Sequence, residues 1–139
     1  MEKHFEYFEH TADIGIRGYG TSFNEALESV AQGMMKQIIE TDTLNPQTQI
    51  TFNITGSSLE ERVVNFLNHL IYLFETKKFI PLNYQLAETE EKELSIHLTG
   101  DTFDPQRDQY NLEVKAATYH MLEVKETPLG WQIQVVIDI

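Results

Sequence analysis

The 139 residues suffice for one domain spanning 1–139 with a core of its own, needing neither disulfides nor a structural metal. Twenty-two acidic against ten basic side chains give a formal charge of −12, a field that repels polyphosphate, argues against autonomous nucleic-acid binding and suits a basic protein partner or a bound cation. Cysteine is absent, which excludes disulfides, thiolate zinc sites, iron–sulfur clusters and cysteine nucleophiles, so any metal must be held by oxygen or imidazole.

From Phe5 to Gly20 the apolar residues alternate loosely, with Gly15, Gly18 and Gly20 as interruptions, and two short strands joined around His10-Thr11-Ala12-Asp13 are expected. Ser22-Phe23-Asn24-Glu25 places a capping serine three residues before a glutamate, which starts a helix. Phe23, Ala26, Leu27, Val30, Ala31, Met34, Met35 and Ile38 then recur at helical spacing, the methionines as core filler. Thr41 to Gln49 is polar, contains Asn45-Pro46 and reads as a loop. Residues Gln49 to Thr55 follow as a strand with Ile50, Phe52 and Ile54 on one face. Ser58-Leu59-Glu60-Glu61 repeats the cap, and Val63, Phe66, Leu67, Leu70, Ile71 and Phe74 form a second helical stripe.

The remainder reads mostly as strand. Leu82 to Leu86 and Leu94 to Leu98 flank the charged run Glu88 to Glu93, an exposed turn. After Asp104-Pro105, alternation from Tyr110 to Val124 predicts one long strand with His120 on its apolar face. Gly130 opens a last strand with Trp131, Ile133, Val135 and Ile137 toward the core and Gln132, Gln134, Val136 and Asp138 outward. The fold class is α+β, with two amphipathic helices packed on one face of a mostly antiparallel sheet. Met1 to Phe5 has no signal-peptide character, and no apolar run approaches the roughly 20 residues of a membrane span, so a soluble cytoplasmic protein without membrane association is expected.

Two acidic residues stand in unusual places. Asp13 sits at a strand–turn junction and Asp138 near the end of an otherwise apolar strand. If the last strand lies beside the first, Asp138, the carboxylate of Ile139 and Asp13 converge, and three anions in a small volume favour a divalent cation. Ca²⁺ or Mg²⁺ accepts such oxygens, and His10 adds a nitrogen for Zn²⁺ or Mn²⁺. The bland alternative is that Asp13 caps a turn and Asp138 is a solvated strand end. A lone histidine such as His120 is more often a hydrogen-bonded core residue than a ligand or base, and Arg107 and Lys115 read as salt-bridge formers or partner contacts. No phosphate loop or nucleophile elbow is present, so nothing specifies a self-sufficient catalyst.

Four blocks carry a resemblance: His10-Thr11-Ala12-Asp13-Ile14-Gly15-Ile16, Phe103-Asp104-Pro105, Val114-Lys115-Ala116-Ala117-Thr118-Tyr119-His120-Met121-Leu122 and Val135-Val136-Ile137-Asp138-Ile139. In order and spacing they resemble archease, a family of small acidic proteins that assist the GTP-dependent RNA-splicing ligase. The resemblance implies an α+β fold and a metal site on Asp13 and Asp138, with Ile139 beside them, for a divalent ion: Ca²⁺, or Mg²⁺ or Mn²⁺ in its place. It implies a protein cofactor and not an enzyme, one that promotes transfer of GMP from GTP to the ligase's active-site histidine and allows multiple turnover. Some relatives are linked to tRNA cytosine methyltransferases, so a chaperone-like binding module is the alternative. His10, Asp104, Arg107, Lys115 and His120 are the candidates for further metal or partner contacts.

Overall fold

The computed structural model describes residues 1–10 and 13–139; Thr11 and Ala12, and the side chains of Glu9 and His10, lie outside the described residues. Strands β1 (His4–His10) and β2 (Asp13–Gly20) form the antiparallel pair expected from the first block, in a register that sets Glu6 opposite Arg17 and Phe8 opposite Gly15. Helix α1 (Phe23–Ile38) follows directly, then β3 (Thr48–Ile54), helix α2 (Leu59–Lys77), β4 (Phe79–Glu88) and β5 (Leu94–Thr102). Two short strands, β6 (Ala116–Ala117) and β7 (Glu123–Thr127), precede the last strand, β8 (Gly130–Asp138). The α+β class holds, with every pairing antiparallel, and the strands divide into two sheets. One runs β1-β2-β8 and carries both β6 and β7 on the far edge of β8; the other is β3-β5-β4.

Both helices start as their local sequence dictates, with one displacement. The Ser22 and Ser58 hydroxyls accept the N–H groups of Glu25 and Glu61, each at 3.1 Å. The glutamates reach one residue further back than a capping box requires: Glu25 accepts from the N–H and hydroxyl of Thr21, and Glu61 from those of Ser57. Each helix thereby ties down the residue before its cap as well as its first turn. Lys78 ends α2 in the left-handed region at φ 57°, its N–H returning to the carbonyls of Leu73 and Phe74.

The buried faces are those the helical spacing marks. Ala26, Leu27, Val30, Ala31, Met34, Met35 and Ile38 of α1 and Val63, Phe66, Leu67, Leu70, Ile71 and Phe74 of α2 join one apolar core with Ile16, Ile80, Leu94, Ile96, Leu98, Ile133, Val135 and Ile137 of the strands. Helix α1 lies against β1, β2 and β8 and reaches β4, while α2 lies against β6 and β7 on one side and β3 and β4 on the other. Gly18 permits the first contact: a Cβ there would stand 2.4 Å from Val30 Cγ2 and 2.5 Å from the Ala26 carbonyl oxygen.

Two expectations are corrected. The region from Tyr110 to Val124 is not one long strand. Its start is tied to the end of α1 and only later stretches reach β8: Glu40 N–H donates to Gln109 O just before it, Asn111 N–H to Ile38 O, and Lys115 N–H to Asp138 O. The Ala117 N–H donates to the side chain of Asn68 on α2 at 2.8 Å, which uses the group that a further strand would need. A turn then follows, closed by Leu122 N–H to Tyr119 O, with Met121 at φ 55°. His120 is therefore exposed in a turn and not on an apolar face. The outward side of β8 is also covered, since Gln134 and Val136 are buried together with Ile133, Val135 and Ile137.

Candidate functional site

Asp13 opens β2 and Asp138 closes β8, and antiparallel pairing sets the two directly opposite one another. Residues opposite in neighbouring strands share a face of the sheet, with Cβ atoms roughly 4.5–5.5 Å apart. The convergence expected of these carboxylates is thus a property of the register. Asp138 is held on its other side as well, opposite Ala116 and with its carbonyl accepting the Lys115 N–H at 2.8 Å. Asp138 and Ile139 are exposed, Asp13 is half-buried, and beside Asp13 lies an open groove of about 320 Å³ bounded by Tyr7, Phe8, Ile14 and Gln37.

The same face explains Gly15. A Cβ at that position would overlap the Phe8 ring, 2.2 Å from Cζ, so the ring lies across the glycine. The Arg17 guanidinium sits over that ring, 4.2 Å from its centre, and its Nε donates to Gln134 Oε1 at 2.9 Å. Gln134 in turn donates to the Met121 carbonyl at 2.9 Å, pinning the turn that carries Tyr119 and His120. Thr118 N–H and hydroxyl both reach the Val136 carbonyl, two residues before Asp138. The 115–121 segment is therefore bound along the strand that ends in the acidic pair, with Lys115, Tyr119, His120 and Met121 exposed.

Of the residues named from the sequence, the structure brings together Asp13 and Asp138, with Ile139 and the Lys115 backbone adjoining. His10 is the backbone partner of Asp13, while its side chain lies outside the described residues. Asp104 and Arg107 belong to a separate turn after β5. Arg107 grips Asp108 through two nitrogens, at 2.7 and 2.8 Å, and pairs with Asp101 at 3.3 Å. Asp108 also accepts from the Thr43 hydroxyl and the Asp104 N–H. Among the described residues, no group of three or more His, Asp or Glu side chains is arranged to hold a metal ion. Arg17 is not among the residues singled out from the sequence, although period-two counting forward from Asp13 puts it on the acidic pair's face, as counting back from Asp138 does Gln134.

The Arg107 guanidinium, then the hydroxyl of Thr43 and the N–H of Asp104, hold the Asp108 carboxyl well below the usual carboxylate range despite burial. A carboxyl with a lowered folded-state pKa contributes stability that is complete above its unfolded value of about 4 and is lost as pH falls below it. Asp108→Asn is expected to lower Tm by roughly 5–10 °C at neutral pH, because three donors lose a charged acceptor. The gap from wild type should narrow as pH drops below about 4. A Tm series against pH checks both, and a gap that stays constant into acid would refute the assignment.

Comparison with known proteins points to one family. The model of the Archease protein family matches residues 5–139. Protein archease of Methanosarcina mazei is 36% identical over 99% of this chain and 97% of its own length. That of Pyrococcus furiosus is 34% identical over 99% of both. The fold is shared with a solution structure of a Methanobacterium thermoautotrophicum protein, TM-score 0.78 at 23% identity, covering 97% of this chain and 98% of the other. It is shared also with a crystal structure of a Thermotoga maritima archease, described as a possible chaperone, TM-score 0.69 at 22% identity over 96% of each chain. With a family match over nearly the whole chain and relatives above 30% identity at full coverage, this chain belongs to the archease family.

Proposed function

We propose that the chain is an activator protein of a GTP-dependent RNA-splicing ligase in the cytoplasm, promoting guanylylation of the ligase's active-site histidine without being a catalyst itself. The observation that carries this reading is the cross-strand placement of Asp13 and Asp138 at the solvent edge of the sheet. Two carboxylates there, with the carboxylate of Ile139 adjoining, are hard oxygen donors of the kind Ca²⁺, Mg²⁺ and Mn²⁺ prefer. Like charges set opposite across two strands repel, and holding one divalent ion removes that cost. When bound, such an ion supplies positive charge of the kind that stabilises polyphosphate oxygens.

The chain's own contribution is to present these carboxylates rigidly. Each lies at the end of a paired strand, and Asp138 is fixed on both sides by backbone hydrogen bonds. The net charge of −12 draws the protein toward a basic mouth, such as a site that gathers GTP and RNA. Docking there favours the arrangement of the partner in which its histidine faces the nucleotide, while the bond-making residues remain the partner's. The second reading is a chaperone-like module that keeps an RNA-modifying enzyme, such as a tRNA cytosine methyltransferase, soluble or specific. The description of the Thermotoga maritima relative as a possible chaperone favours it.

Calorimetric titration separates the metal site from its alternatives. Wild type is expected to bind one equivalent of Ca²⁺, Mg²⁺ or Mn²⁺, and Asp13→Asn to lose about tenfold or more in affinity, since the replacement keeps shape and removes an anionic donor. No heat with any of the three ions would overturn the site.

A further inference from the structure

Another concave site shares no lining residue with the groove beside Asp13. Phe74 at the end of α2, Phe103 after β5 and Tyr110 bound a pocket of about 290 Å³. Phe74 and Tyr110 lie nearly parallel, at 15° with centroids 6.1 Å apart, and Phe103 stands at 64° and 65° to them, 5.9 and 6.3 Å away. The backbone fixes these rings in place: Phe103 N–H donates to the Lys78 carbonyl at 2.8 Å, and Tyr110 pairs with Ile39. Tyr110 is nonetheless 45% exposed, a large aromatic left facing solvent.

The rim is acidic. Glu75 and Glu113 both line the pocket, and burial followed by the negative charges of Glu113 and Glu75 raises the Tyr110 phenol above its ordinary value. The chain's own Lys78 already places its Nζ 5.5 Å from the Phe74 centroid, so a ring face here attracts a cation. The faces of Tyr110 and Phe103 carry no such cation among the described residues. Aromatic faces beside carboxylates suit a guanidinium better than an ammonium. The guanidinium is planar, weakly hydrated and able to stack and pair at once.

We propose that this pocket receives an arginine side chain of the protein partner, its guanidinium stacked on Tyr110 and paired with Glu113 and Glu75. This rests on the reading that the chain works on a protein partner; it depends on neither the metal nor the identity of that partner. One short stretch of chain links the pocket rim to the acidic pair, since Glu113 precedes by two residues the Lys115 whose N–H binds Asp138. The arginine is a docking anchor distinct from the carboxylates, and the overall charge of −12 supplies the attraction to a basic surface.

The test uses the protein alone, with N-acetyl-arginine amide as probe and ring resonances of Tyr110 and Phe103 as readout by NMR. Saturable shifts at these rings are expected, with binding weakened about tenfold by Tyr110→Ala and about threefold by Glu113→Gln, both at exposed positions. N-acetyl-lysine amide should bind several-fold more weakly and N-acetyl-leucine amide not at all. Equal binding of lysine, preference for leucine, or shifts spread evenly over the acidic surface without saturation would each overturn the proposal. Because no ligase or divalent ion is present, failure here leaves the Asp13–Asp138 reading standing.

Discussion

Replacing Asp13 by alanine is expected to reduce stimulation of ligase guanylylation by at least about tenfold, a loss of roughly 1.4 kcal/mol in the assisted step, while leaving the fold intact. The two halves of that expectation come from the same geometry. Asp13 is half-buried at the first residue of β2, opposite Asp138 and outside the apolar core, so the truncation relieves a like-charge pair at a strand end and leaves the core as it is. Without divalent ions the variant should unfold cooperatively, as wild type does. With them, wild type should be stabilised and the variant should not, because only a folded state that binds the ion gains from it. Asp138→Ala should behave alike, and the double variant should lose no more activity than either single one, since both carboxylates serve one site. The measurement is the rate at which the ligase histidine acquires GMP over several turnovers. Full stimulation by folded Asp13→Ala would favour the chaperone-like reading, in which broad surface contacts supply the assistance.

Legibility from sequence followed the range of the interactions involved. Both helix starts were plain because a serine and the glutamate three residues on are local, and only the exact donor to that glutamate, Thr21 or Ser57 in place of the cap, needed coordinates. The β1–β2 hairpin was equally local. The pairing of Asp13 with Asp138 joins residues near the two ends of the chain, and no local pattern encodes that register; the family blocks pointed to it where periodicity could not. The failure at Tyr110 to Val124 has a different cause. Alternation reports that successive side chains point opposite ways, which extended backbone does whether or not it is paired. There, the end of α1 and the side chain of Asn68 take the hydrogen bonds that a neighbouring strand would have taken. The aromatic pocket was hidden for a third reason, since its three rings come from a helix end and two irregular segments.

Leu70→Asp is expected to abolish cooperative folding at 25 °C. Leu70 is 0% exposed in the middle of α2, and the residues three and four positions away on the same stripe, Phe66, Leu67 and Phe74, are buried in the core with it. The substitution forfeits about 1.5–3 kcal/mol of apolar burial. It also places a carboxyl in a core that, among the described residues, holds no lysine or arginine to pair with it; burying it ionised costs several kcal/mol, and burying it protonated without partners costs a few. Set against a typical total of roughly 5–15 kcal/mol, the sum leaves no stable folded state. Because α2 contacts strands of both sheets, the loss should not stay local, and far-UV circular dichroism should fall together with the near-UV signal. Tyr72→Asp is the control: two residues on along the same helix but 53% exposed, it loses a ring contact with His69 and should shift Tm by only a few degrees. An unchanged melting curve for Leu70→Asp, or an unfolded Tyr72→Asp, would mean that α2 is rotated about its axis relative to the core.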